Sequence, residues 1–507
     1  MLRTRQQQAA NKHNFGRAPL RRPGAVVAAG NHAVAAGGRQ LPVQQHPLAN
    51  IAENRLLHEY ESTIKNAFDG IVPILKEISA LQHDRDFQSR AQAIAQAKLG
   101  FSLPDSILDD AWVEQLDMKR LFAWSVFQTY KRYSDDFFAH DPLGNNDTKG
   151  FDEFLQACGF HTLDITPCSD GRLAHFIRYV LRLPHHSVRR KSYAGAMFDI
   201  DNNIQKWVET EMLRYREGVP NTADQPTRYL KMVAYHFSSV DPDHEGCAAH
   251  GSDTRQAAKS GLERLLEFKQ AIENSFCCGA SIDLLLIGLD TDTDAIRIHI
   301  PDEHGDISLD SFVDALEVFE QTQNMDASPA RKHIEQTIEQ CSVTAASGMK
   351  QLCGRLLENN MSQIMYVRND YGRHYPDIGH AERFIGVGIG FEEKQLRNLM
   401  YFAYLNTVEE SVADLDVGVS IFTRLNVSHG LPIPVVVRFD YHSNVPGARE
   451  RAKQRCARVT RALLSRYSEL AEKGFIQVMQ LVRDCTSNGS VEVVDCTVDR
   501  KLAVGTL

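Results

Sequence analysis

Read from the N-terminus, the spacing of apolar residues predicts helices first, then strands and helices mixed. Leu56, Leu57, Tyr60, Ile64, Phe68 and Ile71 share one helical face, a break is expected at Pro73, and Ile74, Leu75, Ile78 and Leu81 resume the pattern. Trp112, Leu116, Leu121, Trp124, Phe127 and Tyr130 mark a second helical stretch whose aromatic stripe reads as packing core. From about residue 141 the pattern changes. Phe160 to Ile165 reads as a short buried strand, and Leu173, Phe176, Ile177, Val180 and Leu181 return to helical spacing. Ile282 to Leu289 is a near-continuous apolar run, which suits a central strand covered on both faces. Ile296, Ile298 and Ile300 alternate with Arg297 and His299, the pattern of a half-exposed strand. Between these two, Asp290, Asp292 and Asp294 imitate the opening of a calcium loop. Ala295 and Pro301 stand where such a loop needs Gly and Glu, so a solvated acidic turn is expected. Near the end, Val417 to Phe422 and Ile433 to Phe439 read as strands, and Pro446 opens a basic amphipathic helix that Gly474 ends. Asn488-Gly489 reads as a two-residue hairpin turn between strands at about 475–487 and 490–498. In that register Cys485 faces Glu492 and not Cys496, so no cross-strand disulfide is expected.

These patterns divide the 507 residues into a tail (1–48), a helical domain (49–140), a middle α/β domain (141–390) and a last domain (391–507), together an α+β fold. Apolar content of 43% and charged content of 24% are those of a globular chain. No run approaches the length of a membrane span, and the N-terminus lacks the apolar core of a secretory signal. Ten cysteines suit an intracellular enzyme better than a disulfide framework, with Cys277 and Cys278 read as core and turn residues. Charge changes the picture at one end only. Residues 1–48 hold Arg3, Arg5, Lys12, Arg17, Arg21, Arg22 and Arg39 and no acid, so a net charge of −9 leaves −9 − 7 = −16 on the remainder. Such a tail cannot bury enough apolar surface to offset its ordering entropy and is expected to be disordered. It is either inert or a basic tether for an acidic partner, while the acidic remainder argues against nucleic-acid binding.

The chemistry gathers in Thr166-Pro167-Cys168-Ser169-Asp170-Gly171-Arg172, between the short strand and the helical pattern that follows. A helix N-terminus there would favour a thiolate at Cys168, and Asp170 is close enough to Arg172 for a bidentate contact. The bland alternative is a structural cysteine beside a capping Asp. What changes the balance is the segment 235–251, which adds His236, His244, His250 and Cys247. Two thiolates and one imidazole give zinc three protein ligands and leave the fourth tetrahedral position open. A closed structural site would show four ligands, commonly with a Cys-x-x-Cys knuckle, and the sequence has none.

Cys-x-Asp-x-Arg followed by a distant His and Cys resembles the zinc site of β-class carbonic anhydrases. The longer wording, Cys168-Ser-Asp-Gly-Arg172 with His236 eleven residues before Cys247 in a His-Phe-Ser-Ser-Val-Asp-Pro run, resembles the divergent shell branch found in α-carboxysomes. The resemblance implies that 141–390 is a zinc-dependent catalytic domain and 391–507 a degenerate copy of it. It implies reversible hydration of carbon dioxide to bicarbonate inside the carboxysome, a bacterial microcompartment, supplying carbon dioxide to Rubisco. One Zn2+ per chain would be held by Cys168, His236 and Cys247, with Asp170 and Arg172 as the catalytic pair. It implies a homo-oligomer and a tail that grips Rubisco or shell proteins, with no nucleic acid and no membrane. Ordinary β-class spacing would select His244, since His244-Glu-Gly-Cys247 is a literal His-x-x-Cys. Local chemistry favours His236, which follows Leu230, Met232 and Val233, whereas His244 lies among loop residues. His250, His175 and His380 are candidate proton relays. His185, Arg189, Arg190 and Lys191 form either a solvated basic turn or an effector site, for which a sugar bisphosphate is the natural candidate. The competing class is a shell- or Rubisco-binding scaffold with a structural zinc. A zinc deaminase lacks the required spacings.

Overall fold

The computed structural model describes residues 45–111, 114–139, 147–184, 187–276, 282–391, 396–405, 412–487 and 489–499; the basic tail up to residue 44, Trp112, His185, Cys277, Cys278 and Asn488 lie outside them. Helix α1 (Ile51–Asp69) starts at Asn50, whose side chain accepts from the Glu53 N–H, and buries Leu57, Ile64 and Phe68. Helix α2 (Ile71–Ser79) follows at once. The break expected at Pro73 falls at Gly70 instead. Pro73 sits in the first turn of α2, where a helix has no use for its missing N–H. Helices α3 (Phe87–Lys98), α4 (Asp105–Asp110) and α5 (Met118–Ala139) complete the layer. The aromatic stripe of α5 points inward. Tyr130 is fully buried, its ring against Phe384 and its hydroxyl accepting from Arg438 at 3.0 Å, so this layer packs on the last part of the chain.

Helix α6 (Thr148–Ala157) leads into the first sheet, which takes β1 (Thr162–Pro167), β2 (Arg189–Arg190), β3 (Tyr229–Phe237), β4 (Ile282–Asp290), β5 (Ile296–His299) and β6 (Val313–Asp314) in the order β2-β1-β3-β4-β5-β6. The first four strands run parallel, which requires crossovers. Helix α7 (Ile200–Arg216) lies between β2 and β3, and α8 (Thr254–Phe276) between β3 and β4. β5 and β6 are antiparallel additions. β5 is less exposed than its alternation suggests. His299 is buried, hydrogen-bonded to the Tyr235 hydroxyl and the Ser308 carbonyl, with Phe312 edge-on to its ring. Helices α9 (Ala315–Thr322), α10 (Ala327–Cys341) and α11 (Ser347–Tyr371) close this half; α11 is buried without a break from Asn360 to Val367.

The second sheet takes β7 (Phe384–Ile389), β8 (Met400–Tyr404), β9 (Ile433–Tyr441), β10 (Ile476–Asp484) and β11 (Glu492–Cys496) in the order β11-β10-β9-β7-β8. It therefore begins seven residues before position 391. Helix α12 (Val412–Leu425) occupies the stretch in which Val417 to Phe422 reads as a strand. The alternating β-branched residues mislead there, because the buried Leu415, Val419 and Phe422 recur at helical spacing. Gly418 lets α12 approach the sheet, since a Cβ there would lie 2.8 Å from the Tyr401 ring. Helices α13 (Ala448–Arg466) and α14 (Ser468–Glu472) cross from β9 to β10. The β10–β11 hairpin departs from the expected register, and Asn488 of the expected turn lies outside the described residues. Val482 pairs with Glu492, and the chain leaves β10 at Asp484, whose carboxylate collects the Ser443 and Thr486 N–H groups and the Ser487 hydroxyl. Cys485 thus lies in a turn and not opposite Glu492, and no disulfide joins it to Cys496.

The two sheets repeat one plan. In each, two nine-residue parallel strands joined by a long helix form the centre, a shorter parallel strand flanks them with a further strand outside it, and an antiparallel strand closes the far side. The register allows a residue-by-residue comparison. The sixth position of β3, Ala234, faces Pro167, and the sixth of β9, Arg438, faces Gly388, so Ile389 stands where Cys168 does. The eighth positions are His236 and Asp440. The last domain is a copy that keeps the architecture and lacks the sulfur and imidazole.

Candidate active site

β1 and β3 are parallel neighbours, so their C-terminal ends lie together, where open parallel sheets place their ligands. Cys168 follows β1 directly, His236 is the eighth residue of β3, and Cys247 lies on the loop beyond it. The Cys168 and Cys247 sulfurs and a His236 ring nitrogen lie within 4.8 Å of one another, and all three residues are buried. Neither nitrogen of His236 has a hydrogen-bond partner. A bare buried imidazole is costly, and a cation between these donors would satisfy one of its two nitrogens. The two cysteines respond to each other: their mutual hydrogen bond, with burial, holds the Cys168 thiol well above its usual range, while the same bond lowers Cys247. Two sulfurs and one imidazole nitrogen gathered this closely fit a divalent ion that prefers sulfur and nitrogen. His244 is far from this arrangement in character, exposed and paired with Asp241.

Beyond Cys168 the chain forms single-turn helices, Gly171–Leu173 and Phe176–Val180, and not the regular helix expected from the spacing. The dipole argument for the thiolate therefore lapses. The Cys168 sulfur is instead approached by the Gly195 N–H at 3.3 Å. Gly195 has φ +61, and a Cβ on it would lie 2.7 Å from His250 Nε2, so glycine is required there.

Asp170 and Arg172 meet as a fork, Oδ1 to Nε at 3.0 Å and Oδ2 to Nη2 at 2.8 Å, and Oδ1 also accepts the Arg172 backbone N–H. Burial raises the Asp170 pKa, but Arg172, with His380 and His236, more than offsets this and holds the carboxyl well below the usual carboxylate range. The remaining guanidinium hydrogens go to the Glu245, Gly246 and Ile378 carbonyls. Asp170 Oδ2 lies 3.6 Å from both His236 Nε2 and His380 Nε2. Of the three candidate relays, His380 alone faces this carboxylate. Burial disfavours its charge, yet Glu382 and Asp170 lift its pKa to about 9. His175 turns away to Asp294, and His250 lies against the Gly195 carbonyl.

Three family descriptions cover this chain in succession. Carboxysome Shell Carbonic Anhydrase, N-terminal, matches residues 46–138; the catalytic domain of the same family matches 150–380; its C-terminal domain matches 381–498. The chain belongs to the carboxysome shell carbonic anhydrase family. Relatives of that name include one from Prochlorococcus marinus (strain MIT 9313), 54% identical over 90% of this chain and 89% of its own length. Another, from Parasynechococcus marenigrum (strain WH8102), is 54% identical over 90% of this chain and 80% of its own. The relative from Halothiobacillus neapolitanus (strain ATCC 23641 / c2) is 45% identical over 85% and 87%.

Two features of this family member are not legible in its motifs. The acidic turn expected in solvent is buried, and each carboxylate grips a segment that bears the site. Asp290 accepts from Ser239 and Thr293, and Asp292 from the Ser238 hydroxyl and the Val240 N–H, which fixes the chain just after His236. Asp294 accepts from Tyr375 and Gln363 and pairs with His175, tying the segment after Arg172 to the one before His380. The alternation of Ser and Thr with Asp could have signalled internal satisfaction. The second feature is the contribution of the C-terminal copy. Glu382 accepts from the Gly171 N–H, the Asn398 N–H donates to the Gly171 carbonyl, and Asp414 accepts from the Ala194 N–H beside Gly195. A Cβ on Gly171 would lie 2.4 Å from Glu382.

The basic cluster is not assembled as expected. Arg189 and Arg190 form the edge strand β2 and are half-buried, with Arg189 donating to the Lys206 carbonyl. Lys191 is buried with its ammonium over the Tyr404 ring. This is neither a solvated turn nor one shared basic surface.

Two outcomes follow. His236→Ala is expected to weaken metal binding by more than the roughly 10–100-fold cost of an outer-shell change, whereas His244→Ala should leave metal content unchanged, read by elemental analysis of the purified proteins. Burial lifts the Asp414 pKa to about 6, so its ionisation costs stability that is gained back below about pH 3.8 and lost as pH rises through 6. Asp414→Asn, which can still accept from Ala194, should raise stability above pH 6 by at most about 3 kcal/mol and by nothing below pH 3.8. Melting temperature against pH tests this.

Proposed function

We propose that this chain catalyses the reversible hydration of carbon dioxide to bicarbonate with one zinc ion per chain, inside the carboxysome, where the dehydration direction supplies carbon dioxide to Rubisco. The observation that carries the reading is the bare His236 ring between two buried thiols, with the forked Asp170–Arg172 pair alongside. A purely structural metal site has no need of that pair. Cys168, His236 and Cys247 would hold the zinc, which when bound supplies a Lewis acid that makes water acidic enough to attack carbon dioxide at neutral pH.

The protein groups do the rest. Asp170, kept ionised by Arg172, offers Oδ2 as a hydrogen-bond acceptor on the open side of the three donors. It can accept the proton-bearing edge of the attacking water and so orient the oxygen lone pair toward the substrate. Arg172 prevents the carboxylate from turning onto the three donors and filling the fourth position itself. Charged at physiological pH, His380 holds a proton at Nε2 facing Asp170 while Glu382 steadies Nδ1 at 2.9 Å, which makes it the group best placed to exchange protons with the pocket. The tail 1–48 is assigned to capture by an acidic partner surface, Rubisco or a shell protein.

Stopped-flow hydration of carbon dioxide by the purified chain should be fast, abolished by a zinc chelator and restored by added zinc; no hydration in zinc-replete protein would overturn the reading. Arg172→Ala should keep its metal, because no guanidinium nitrogen is a donor, yet lose activity by roughly 10²-fold or more. Turnover close to that of the parent would contradict the role given to Arg172.

A further inference from the structure

The C-terminal copy has lost the donors of the site, and it has gained something its counterpart lacks. α8 and α13 hold the same place in the two sheets, each crossing between the two central parallel strands. α8 carries four basic and three acidic residues, and most of its charges are laced together: Arg255 with Asp310, Lys259 with Glu263, Arg264 with Glu267. α13 carries seven basic residues and one acid, Glu450. The fold accepts a balanced helix at this position, so it does not itself require the basic one.

The charges on α13 fall into two groups. Near its ends they are compensated, Arg449 and Lys453 by Glu492 and Glu450, and Arg466 by Asp416. Along the middle they are not. Arg451, Arg455, Arg458 and Arg461 are exposed, on the face opposite Ala452, Cys456, Val459 and Leu463, which pack on the sheet. None of the four makes an ion pair among the described residues. Arg451 and Arg461 donate only to the backbone of their own segment, at Pro446 and Ala457. Spaced three or four residues apart, the four form a row about 15 Å long. Like charges at this spacing repel, and the first of them lies near the positive end of the helix dipole. The row works against the helix that carries it, on a body whose charge outside the tail is −16, as derived above.

We propose that the exposed face of α13 is a docking surface for an acidic face of a partner protein. Four guanidinium forks in a row match carboxylates displayed along one helix or strand. A nucleic acid fits less well. The row has no aromatic side chain interleaved for bases to stack on. The surface is separate from residues 1–48, so the chain has two basic attachments, and their effects multiply when both engage one assembly. The copy that lost the chemistry has become the part that holds on.

Binding of the full chain to fluorescent poly-glutamate, and in parallel to a duplex DNA, tests this across a salt series. Reversal of the row as Arg455→Glu, Arg458→Glu and Arg461→Glu should weaken poly-glutamate binding about tenfold or more and flatten its salt dependence. The same reversal on α8, Arg255→Glu with Lys259→Glu, should leave binding within about twofold of the parent. Retained carbon dioxide hydration in both variants reports that they fold. Poly-glutamate binding unchanged by the α13 reversal would overturn the proposal, and so would tighter binding to the duplex than to the polypeptide.

Discussion

The rest of the site depends on a buried ion pair. Taking Asp170 and Arg172 out of water costs several kcal/mol per charge, and a single fork seldom repays that. Here the guanidinium also donates to the Glu245 and Gly246 carbonyls, just before Cys247, and to the Ile378 carbonyl, just before His380. One side chain therefore sets the position of the loop bearing Cys247, the segment bearing His380 and the carboxylate between them. The pair is satisfied only when those loops are in place, so the network that fixes the geometry is also the one that makes burial of the charges tolerable.

Duplication explains how one chain supplies all these groups. The first sheet brings Cys168 and His236 to adjacent strand ends, and the copy, with Ile389 and Asp440 at the matching positions, has none of that chemistry to perform. It acts through Glu382, Asn398 and Asp414, which reach across to the backbone of Gly171 and Ala194. Freed of its own site, its outer surface has changed too, as α13 shows beside α8. The N-terminal helices add a third layer, with Tyr130 of α5 holding Arg438 of the copy.

The parts of this fold that were legible in the sequence are those governed by local pattern. The apolar run of β4 and the segment of β1 needed only their own residues. The grouping of Cys168, His236 and Cys247 could be anticipated because its spacing is unusual, and His236 separates from the exposed His244 on the polarity of its neighbours alone. The misreadings share a cause in tertiary context. Asp290, Asp292 and Asp294 are buried because hydroxyls and amides from three other segments converge on them, which no local window contains. α12 is a helix because of which face meets the sheet, although Val417, Val419 and Ile421 alternate like a strand. The hairpin departs from the expected register because Asp484 collects donors from Ser443 as well as its own turn. The roles of Glu382 and Asp414 required knowing that the second sheet stands beside the first.

X-ray absorption at the zinc edge of the metal-loaded chain tests the central claim directly. Three protein donors held beside a position that the Asp170–Arg172 pair keeps free should give two sulfurs at about 2.3 Å and two lighter atoms at about 2.0–2.1 Å, one from His236 and one from solvent. The solvent component should be displaced by a small anionic inhibitor. A shell filled entirely by protein atoms and unaffected by such an anion would contradict the account.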